Sequence, residues 1–193
     1  MQATEPKRLF FALWPGGDIR AQASATSKTV FAQHSLTGHR SRPRLYHLTL
    51  YFLGDKVPVA TETVARKLAA SINAPPFRLR LDMAGSFPNP EIPIWLGPSA
   101  PPAELKHLDQ SLRRTLKGLR LTRQPGFKPH LTIMRNAIEP LQDQPVEPIE
   151  WWVDEFVLIQ SFVMTGSVQY EVLERFPLRG EPLRPEPKQS ELF

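Results

Sequence analysis

The sequence predicts an α+β fold rather than a doubly wound parallel sheet. Strand-like and helix-like segments alternate along most of the chain, whereas its last ordered third reads as strands alone. The 193 residues suffice for one domain with a sizeable core, or for two small lobes sharing one. The apolar share of 41% and the charged share of 22% are those of an ordinary globular chain.

Each element has its own signal. "RLFFALW" (8–14) is apolar and aromatic enough for a buried strand, and "PGG" ends it. Residues 18–34 contain neither Pro nor Gly and form a helix with a weak apolar stripe. "HSLTGHRSRPR" (34–44) is a polar loop. "LYHLTLYFLG" (45–54) then supplies a strand over 45–53 that stops at "GD". In "PVATETVARKLAASIN" (58–73), Val64, Leu68 and Ile72 recur at helical spacing beside Ala65 and Ala69. Short strands at 77–83 and 92–96 flank the turn-rich "GSFPNPE". The clearest amphipathic helix is 102–119, where Leu105, Leu108, Leu112 and Leu116 share a side. Pro102 suits its start and Gly118 its end. A strand at 130–134, a long strand at 151–164 and another at 167–175 complete the fold, the last two joined through "MTGS". From Pro177 the chain is proline-rich, charged and aperiodic, which marks 177–193 as a mobile tail after a domain spanning 1–176.

Composition narrows the function. The absence of cysteine excludes disulfides, thiolate zinc sites and a cysteine nucleophile. The apolar run "LFFALW" is too short for a signal-peptide core or a membrane span, so a soluble, cytoplasmic protein is expected. Lys and Arg number 24 against 19 Asp and Glu, and the net charge of +5 favours a polyanionic partner such as RNA.

One local repeat carries chemistry. "HLTL" begins at residue 47 and "HLTI" at residue 130, a His-Leu-Thr-aliphatic tetrad in two copies 83 residues apart. Side chains alternate across a strand, so His47 and Thr49 share one face while Leu48 and Leu50 take the other. His130 and Thr132 likewise oppose Leu131 and Ile133. Each tetrad buries its aliphatic pair and presents an imidazole beside a hydroxyl. Imidazole titrates near neutrality, so one ring can take a proton from water while a charged partner gives one to a departing oxygen. Threonine hydroxyls add donors for the nonbridging oxygens of a phosphate. Two such sets around one phosphodiester form a complete hydrolytic site.

"HLTLYFLG" and "PHLTIMR" resemble the paired motifs of the two-histidine phosphoesterase superfamily, and in particular the RNA 2′,3′-cyclic phosphodiesterases, also called 2′-5′ RNA ligases. "RLFFALW" resembles that family's opening strand, "IWLG" (94–97) the strand before its central helix, and "SFVMTGSVQYEVLERF" its closing hairpin. The resemblance implies two pseudo-symmetric lobes of antiparallel sheet, helices packed outside, and an active-site cleft between the lobes. It implies hydrolysis of an RNA 2′,3′-cyclic phosphate to a 2′-phosphate, with His47 as proton donor, His130 as acceptor, and Thr49 and Thr132 holding the phosphate. The family pattern also carries an arginine just after its second tetrad, here Arg135. A guanidinium is well matched to phosphate. Strict alternation nevertheless puts Arg135 opposite His130, so the strand must bulge or end before it.

Further candidates surround the tetrads. Leu9, Phe11 and Leu13 share the more buried face of the first strand, which turns Phe10 towards the cleft, where it can stack on a base. Trp95 is a similar candidate. Arg40, Arg42 and Arg44 precede His47, and Arg113, Arg114, Lys117, Arg120, Arg123 and Lys128 lead to His130; both clusters are candidate RNA contacts. His34, His39 and His107 match no metal-binding spacing, and no glycine-rich nucleotide loop or HExxH motif occurs, so neither metal nor ATP is expected as a cofactor. The resulting expectation is a monomer acting on RNA with 2′,3′-cyclic phosphate ends, tRNA fragments among them. Ligation by the same site run backward, or RNA-end binding without catalysis, are the alternatives.

Overall fold

In the first strand, β1 (Lys7–Leu13), Leu9, Phe11 and Leu13 enter the main core, whereas Phe10 and Ala12 join a second, smaller apolar cluster on the opposite face. A strand apolar on both faces belongs in the middle of a sheet, and that is its place. The computed structural model describes residues 6–119, 126–165 and 167–181. After β1 come α1 (Gly17–Gln33), β2 (His39–Arg40), β3 (Leu48–Val57), α2 (Val59–Ala70), β4 (Phe77–Ser86), β5 (Ile94–Gly97) and α3 (Ala103–Leu116). The chain ends with β6 (Leu131–Arg135), β7 (Gln144–Val153), β8 (Glu155–Met164) and β9 (Ser167–Pro177). Among the described residues all strand pairings are antiparallel, in the order β7-β4-β5-β6-β3-β1-β8-β9, with β2 alongside β6. The halves β7-β4-β5-β6 and β9-β8-β1-β3 are the two lobes, and they meet where Leu48 of β3 pairs with Leu131 of β6.

A repeat that the residues conceal is plain in the pairing. Ala12 pairs with Thr49 and Leu13 with Leu48; 83 residues later, Trp95 pairs with Thr132 and Leu96 with Leu131. The helices α1 and α3 end at equivalent points, Gln33 and Leu116, so a strand–helix–strand unit occurs twice at a constant offset. Leu48 and Leu131 occupy the same place in the two units. An antiparallel pair of equivalent residues has a local twofold axis between them, and the lobes are related across it.

The helices cover the main core. α3 buries Leu105, Leu108, Leu112 and Leu116, as its spacing predicts. α1 buries Ala23, Ser27, Val30 and Phe31, and the Ser27 hydroxyl donates to the Ala23 carbonyl at 2.6 Å, so small residues make a stripe that hydropathy alone barely registers. In α2 the buried stripe is Glu62, Ala65 and Ala69 rather than one led by Val64, which is 43% exposed. The Glu62 carboxylate survives there because Arg66, at 2.6 Å, and Lys7, at 3.3 Å, neutralise it.

Several boundaries differ from expectation, and β2 lies inside the segment 34–44 expected as a loop, because His39 and Arg40 pair with Arg135 and Met134 of β6. The strand expected to stop at Gly54 continues to Val57, because Gly54 adopts a φ of 150° that permits a bulge opposite Leu9. The single strand expected at 151–164 is two, β7 and β8, joined by Asp154 alone. These two lie far apart in the strand order, so the sheet curls until both come within one residue of each other. Pro145 and Pro148 are tolerated because β7 is an edge strand. Past Pro177, Leu178 is buried and the Gly180 amide donates to the Ala74 carbonyl at 2.9 Å, so packed chain extends beyond the expected boundary. The rest of the expected tail, 182–193, lies outside the described residues.

Candidate active site

The pairing of Leu48 with Leu131 decides the geometry. Both leucines are fully buried in the main core, so their neighbours along each strand face the other way. Antiparallel direction then sets His47 abreast of Thr132 and Thr49 abreast of His130. The two tetrads thus contribute to one face, and His47 and Thr132 line one cavity.

Each histidine immediately precedes its strand, and each is held in the same way. Nδ1 of His47 lies 2.8 Å from the Leu45 carbonyl oxygen, and Nδ1 of His130 lies 2.6 Å from that of Lys128. A carbonyl oxygen only accepts, so Nδ1 carries the hydrogen and donates in both rings. Nε2 is left to act: as an acceptor when the ring is neutral, as a donor when it is charged. A 3-10 turn at Pro43–Leu45 presents the first of these carbonyls.

Aromatic edges and faces position the rings further. The centroid of Phe10 lies 5.0 Å from that of His47, and Tyr170 of β9 meets the same ring edge-on at 5.1 Å. On the other side Phe87 approaches His130 edge-on at 4.8 Å and stacks on Trp95 at 5.5 Å. Gly85 leaves the space that the Trp95 ring occupies, for a Cβ there would lie 2.6 Å from it. Phe10 is only 5% exposed, so it supports His47 rather than offering a face to a base.

Arg135 reaches the site through a bulge. Trp95 pairs with Thr132 and Ile94 with Met134, which leaves Ile133 as an extra residue in β6. Ile133 and Met134 therefore both enter the core, and Arg135 turns back to the histidine side. The first tetrad is followed by the same irregularity: Leu50 is the extra residue, Leu50 and Tyr51 both face the core, and Phe52 occupies the place equivalent to Arg135.

Two cavities meet at His47, Arg135, Val168 and Tyr170. One, of about 290 Å³, extends to Thr132, His39 and Arg42; the other, of about 320 Å³, extends to Thr49, Phe10, Phe52 and Arg8. A larger hollow of about 790 Å³ between the start of α1 and the β7–β8 crossing contains neither histidine. Burial pushes the His47 imidazole down to about 4, with the backbone bond to Leu45 opposing and the charges of Arg135, His130 and Arg20 adding to the effect. Burial, with Arg135, also lowers His130, against the bond to Lys128. Arg20 stacks over Trp14 at 4.2 Å and donates to the Arg44 carbonyl at 3.1 Å.

The expected RNA-binding arginines are sorted by their neighbours. Arg42 lines the cavity, Arg40 lies over Phe31, and Arg44 is tied to Gln169 of β9. Arg113 pairs with Asp109 along α3. Arg120 and Arg123 lie outside the described residues. Sequence reasoning missed Tyr170, Phe52 and Arg8, which line the cavities, and Phe87, which packs on His130. Phe87 sits in a turn-rich loop, and Tyr170 is brought in only by the β8–β9 register, so neither has a local signal.

These features can be set beside known proteins. The family model described as the 2′-5′ RNA ligase superfamily matches residues 20–161, which include both tetrads. The chain belongs to the 2′-5′ RNA ligase superfamily. Among its relatives is the Escherichia coli K12 protein named RNA 2′,3′-cyclic phosphodiesterase, 35% identical over 91% of this chain and 98% of that one. A Thermus thermophilus protein of the same name is 34% identical over 90% of this chain and 91% of its own length. The crystal structure of E. coli LigT in apo form superposes with a TM-score of 0.80 at 33% identity, covering 91% of this chain and 99% of LigT. LigT complexed with 3′-AMP gives the same TM-score at 32% identity, over 90% and 99%. Superfamily membership accounts for the two-lobed antiparallel architecture with helices outside.

Proposed function

We propose that the chain is an RNA 2′,3′-cyclic phosphodiesterase that opens the cyclic phosphate at an RNA 3′ end to a 2′-phosphate. The observation that carries this is the Leu48–Leu131 pair, which turns two Nδ1-anchored imidazoles and two threonines to one face. His47, Thr49 and Thr132 line cavities shared with Arg135, whose charge is also felt at His130. The names of the superfamily relatives support the same substrate.

In this reading the phosphate sits between the histidines, its nonbridging oxygens held by Thr49, Thr132 and the guanidinium of Arg135. Neutral His130 takes a proton at Nε2 from the attacking water as the new P–O bond forms. The P–O3′ bond breaks, and His47, protonated at Nε2, delivers its proton to O3′. The product carries a 2′-phosphate and a free 3′-hydroxyl. Exchange with solvent then removes the proton from His130 and restores that of His47. Both histidines come from one chain, so a monomer is competent. RNA fragments in the cytoplasm, including those of tRNA, are the source of such ends in this proposal.

The test uses an oligonucleotide with a 2′,3′-cyclic end. His47→Ala and His130→Ala each abolish product while keeping the wild-type circular dichroism, and the wild-type product carries its phosphate on the 2′ oxygen. A 3′-phosphate product, or normal turnover in both variants, overturns the proposal. Binding without turnover by the wild type points instead to a non-catalytic end-binding protein.

A further inference from the structure

Building on that reading, we propose that Arg8 is a substrate-binding residue which holds the phosphodiester on the 5′ side of the terminal nucleotide, above the ring of Phe52. The inference starts from the broken symmetry between the lobes. The place equivalent to Arg135 is filled by Phe52, so the first lobe carries no guanidinium on that strand. Its cation comes from the neighbouring strand instead. The Arg8 guanidinium carbon lies 5.2 Å from the centre of the Phe52 ring. Arg8, Phe10 and Ala12 alternate onto one face of β1, and Ala12 pairs with Thr49 and Phe10 with Phe52. A track therefore runs outward from the first tetrad, past two phenylalanines, to a guanidinium.

That track is part of the histidine cleft. Arg8, Phe52, Thr49, His47 and Arg135 line a single cavity. The charge of Arg8 is also felt at Tyr170, whose ring touches His47. The Arg8 side chain is 57% exposed and is held by Asp55, itself 66% exposed, at 2.8 Å. An exposed ion pair of this kind is weak and yields readily to a phosphate.

The chemistry of the substrate sets what meets Arg8. A 2′,3′-cyclic phosphate closes the 3′ end, so every further nucleotide leaves through the 5′ oxygen. With the cyclic phosphate between the histidines, a cation farther along the same cavity faces the next charge on the chain, which is a phosphodiester. Phe52 below it steadies the guanidinium through a cation–π contact and so holds the charge at that end of the cavity. The terminal nucleotide is thus gripped at two phosphates, Arg135 at one and Arg8 at the other.

The experiment compares a nucleoside 2′,3′-cyclic phosphate with a pentanucleotide bearing the same end. Arg8→Ala should raise KM for the pentanucleotide about tenfold more than for the nucleoside, with kcat for the two changing in parallel. The slope of log KM against log salt for the pentanucleotide should fall by about 0.7, the contribution of one single-strand phosphate contact. Arg8→Lys should restore that slope, and Asp55→Asn, which frees the guanidinium, should lower KM for the pentanucleotide. Equal effects of Arg8→Ala on both substrates, or an unchanged salt slope, overturn the proposal. Fluorescence anisotropy with a 2′-phosphate-ended pentanucleotide reads the same contact without turnover. A wild type that binds this probe with Arg8-dependent salt sensitivity but hydrolyses neither substrate would refute the catalytic reading and leave the Arg8 contact standing.

Discussion

His47 meets two opposing demands: its surroundings hold the ring neutral, near 4, while the proposed reaction asks it to give up a proton. The conflict resolves if the substrate supplies the missing counter-charge. A phosphate bound beside Arg135 between the histidines offsets the positive field and favours imidazolium. In phosphate-free buffer the His47 ring proton resonance should therefore titrate near 4, and saturating inorganic phosphate should move the midpoint up by about a unit or more. A midpoint near 6.5 without phosphate contradicts this account. Because its folded value lies below the unfolded one, His47 stabilises the fold fully above about pH 6.5, and that contribution is lost as pH falls through 4. Arg135→Ala removes a repelling charge, so the midpoints of both His47 and His130 should rise while KM increases. Thr49→Ala and Thr132→Ala should each lower kcat by about 10²–10³ if the hydroxyls act as oxyanion donors, and serine at either position should recover most of it. At this scale the sequence was informative wherever a motif was short and local. The tetrads needed only strand alternation, whereas Tyr170 and Phe87 required tertiary register.

The strands were readable mainly as apolar runs, and their irregularities were not. Alternation assigned the tetrads correctly and would have put Arg135 on the wrong face, because a bulge leaves no mark in the order of Leu, Ile and Met residues. It is visible only in the partner strand, where Trp95 and Ile94 skip Ile133. The β7–β8 crossing escaped notice for a similar reason: Val153, Asp154 and Glu155 contain no Gly or Pro to mark it. Helix α2 and the turn after it present Ala65, Leu68, Ala69 and Ile72 to the core as the spacing predicts, but Val64 lies outside and Glu62 inside, because a paired glutamate carries less hydropathy than a valine. That difference can be measured. Val64→Ser should change stability by no more than about 0.5 kcal/mol, as at other exposed positions. Ala65→Leu should cost about 1–3 kcal/mol by overpacking. Urea unfolding of the two variants decides which side faces the core.

For the whole molecule, α+β content and a two-lobed plan were legible, the first from the succession of elements and the second through family resemblance. The extent of the internal repeat was not. Its units coincide in backbone register over β1–β3 and β5–β6, yet Ala12 answers to Trp95 and Phe52 to Arg135, so little beyond the tetrads repeats in residue type. The seam is correspondingly narrow, and Leu48 and Leu131 are both fully buried there. Truncating either to Ala should cost about 2–5 kcal/mol of stability in urea titration, with turnover falling even in variants that remain folded, since the relative setting of the histidines depends on this contact.

Such a seam is what a fused homodimer would leave behind: two copies of one short strand–helix–strand ancestor, each donating half of a site across its own axis. In a pair of identical halves neither ring could be distinguished as acid or base, and water could approach from either side with equal ease. Phe52 and Arg135 stand at equivalent places in the two halves, so that equivalence is broken in this cleft, and in the proposed reaction the same asymmetry would fix which ester oxygen departs.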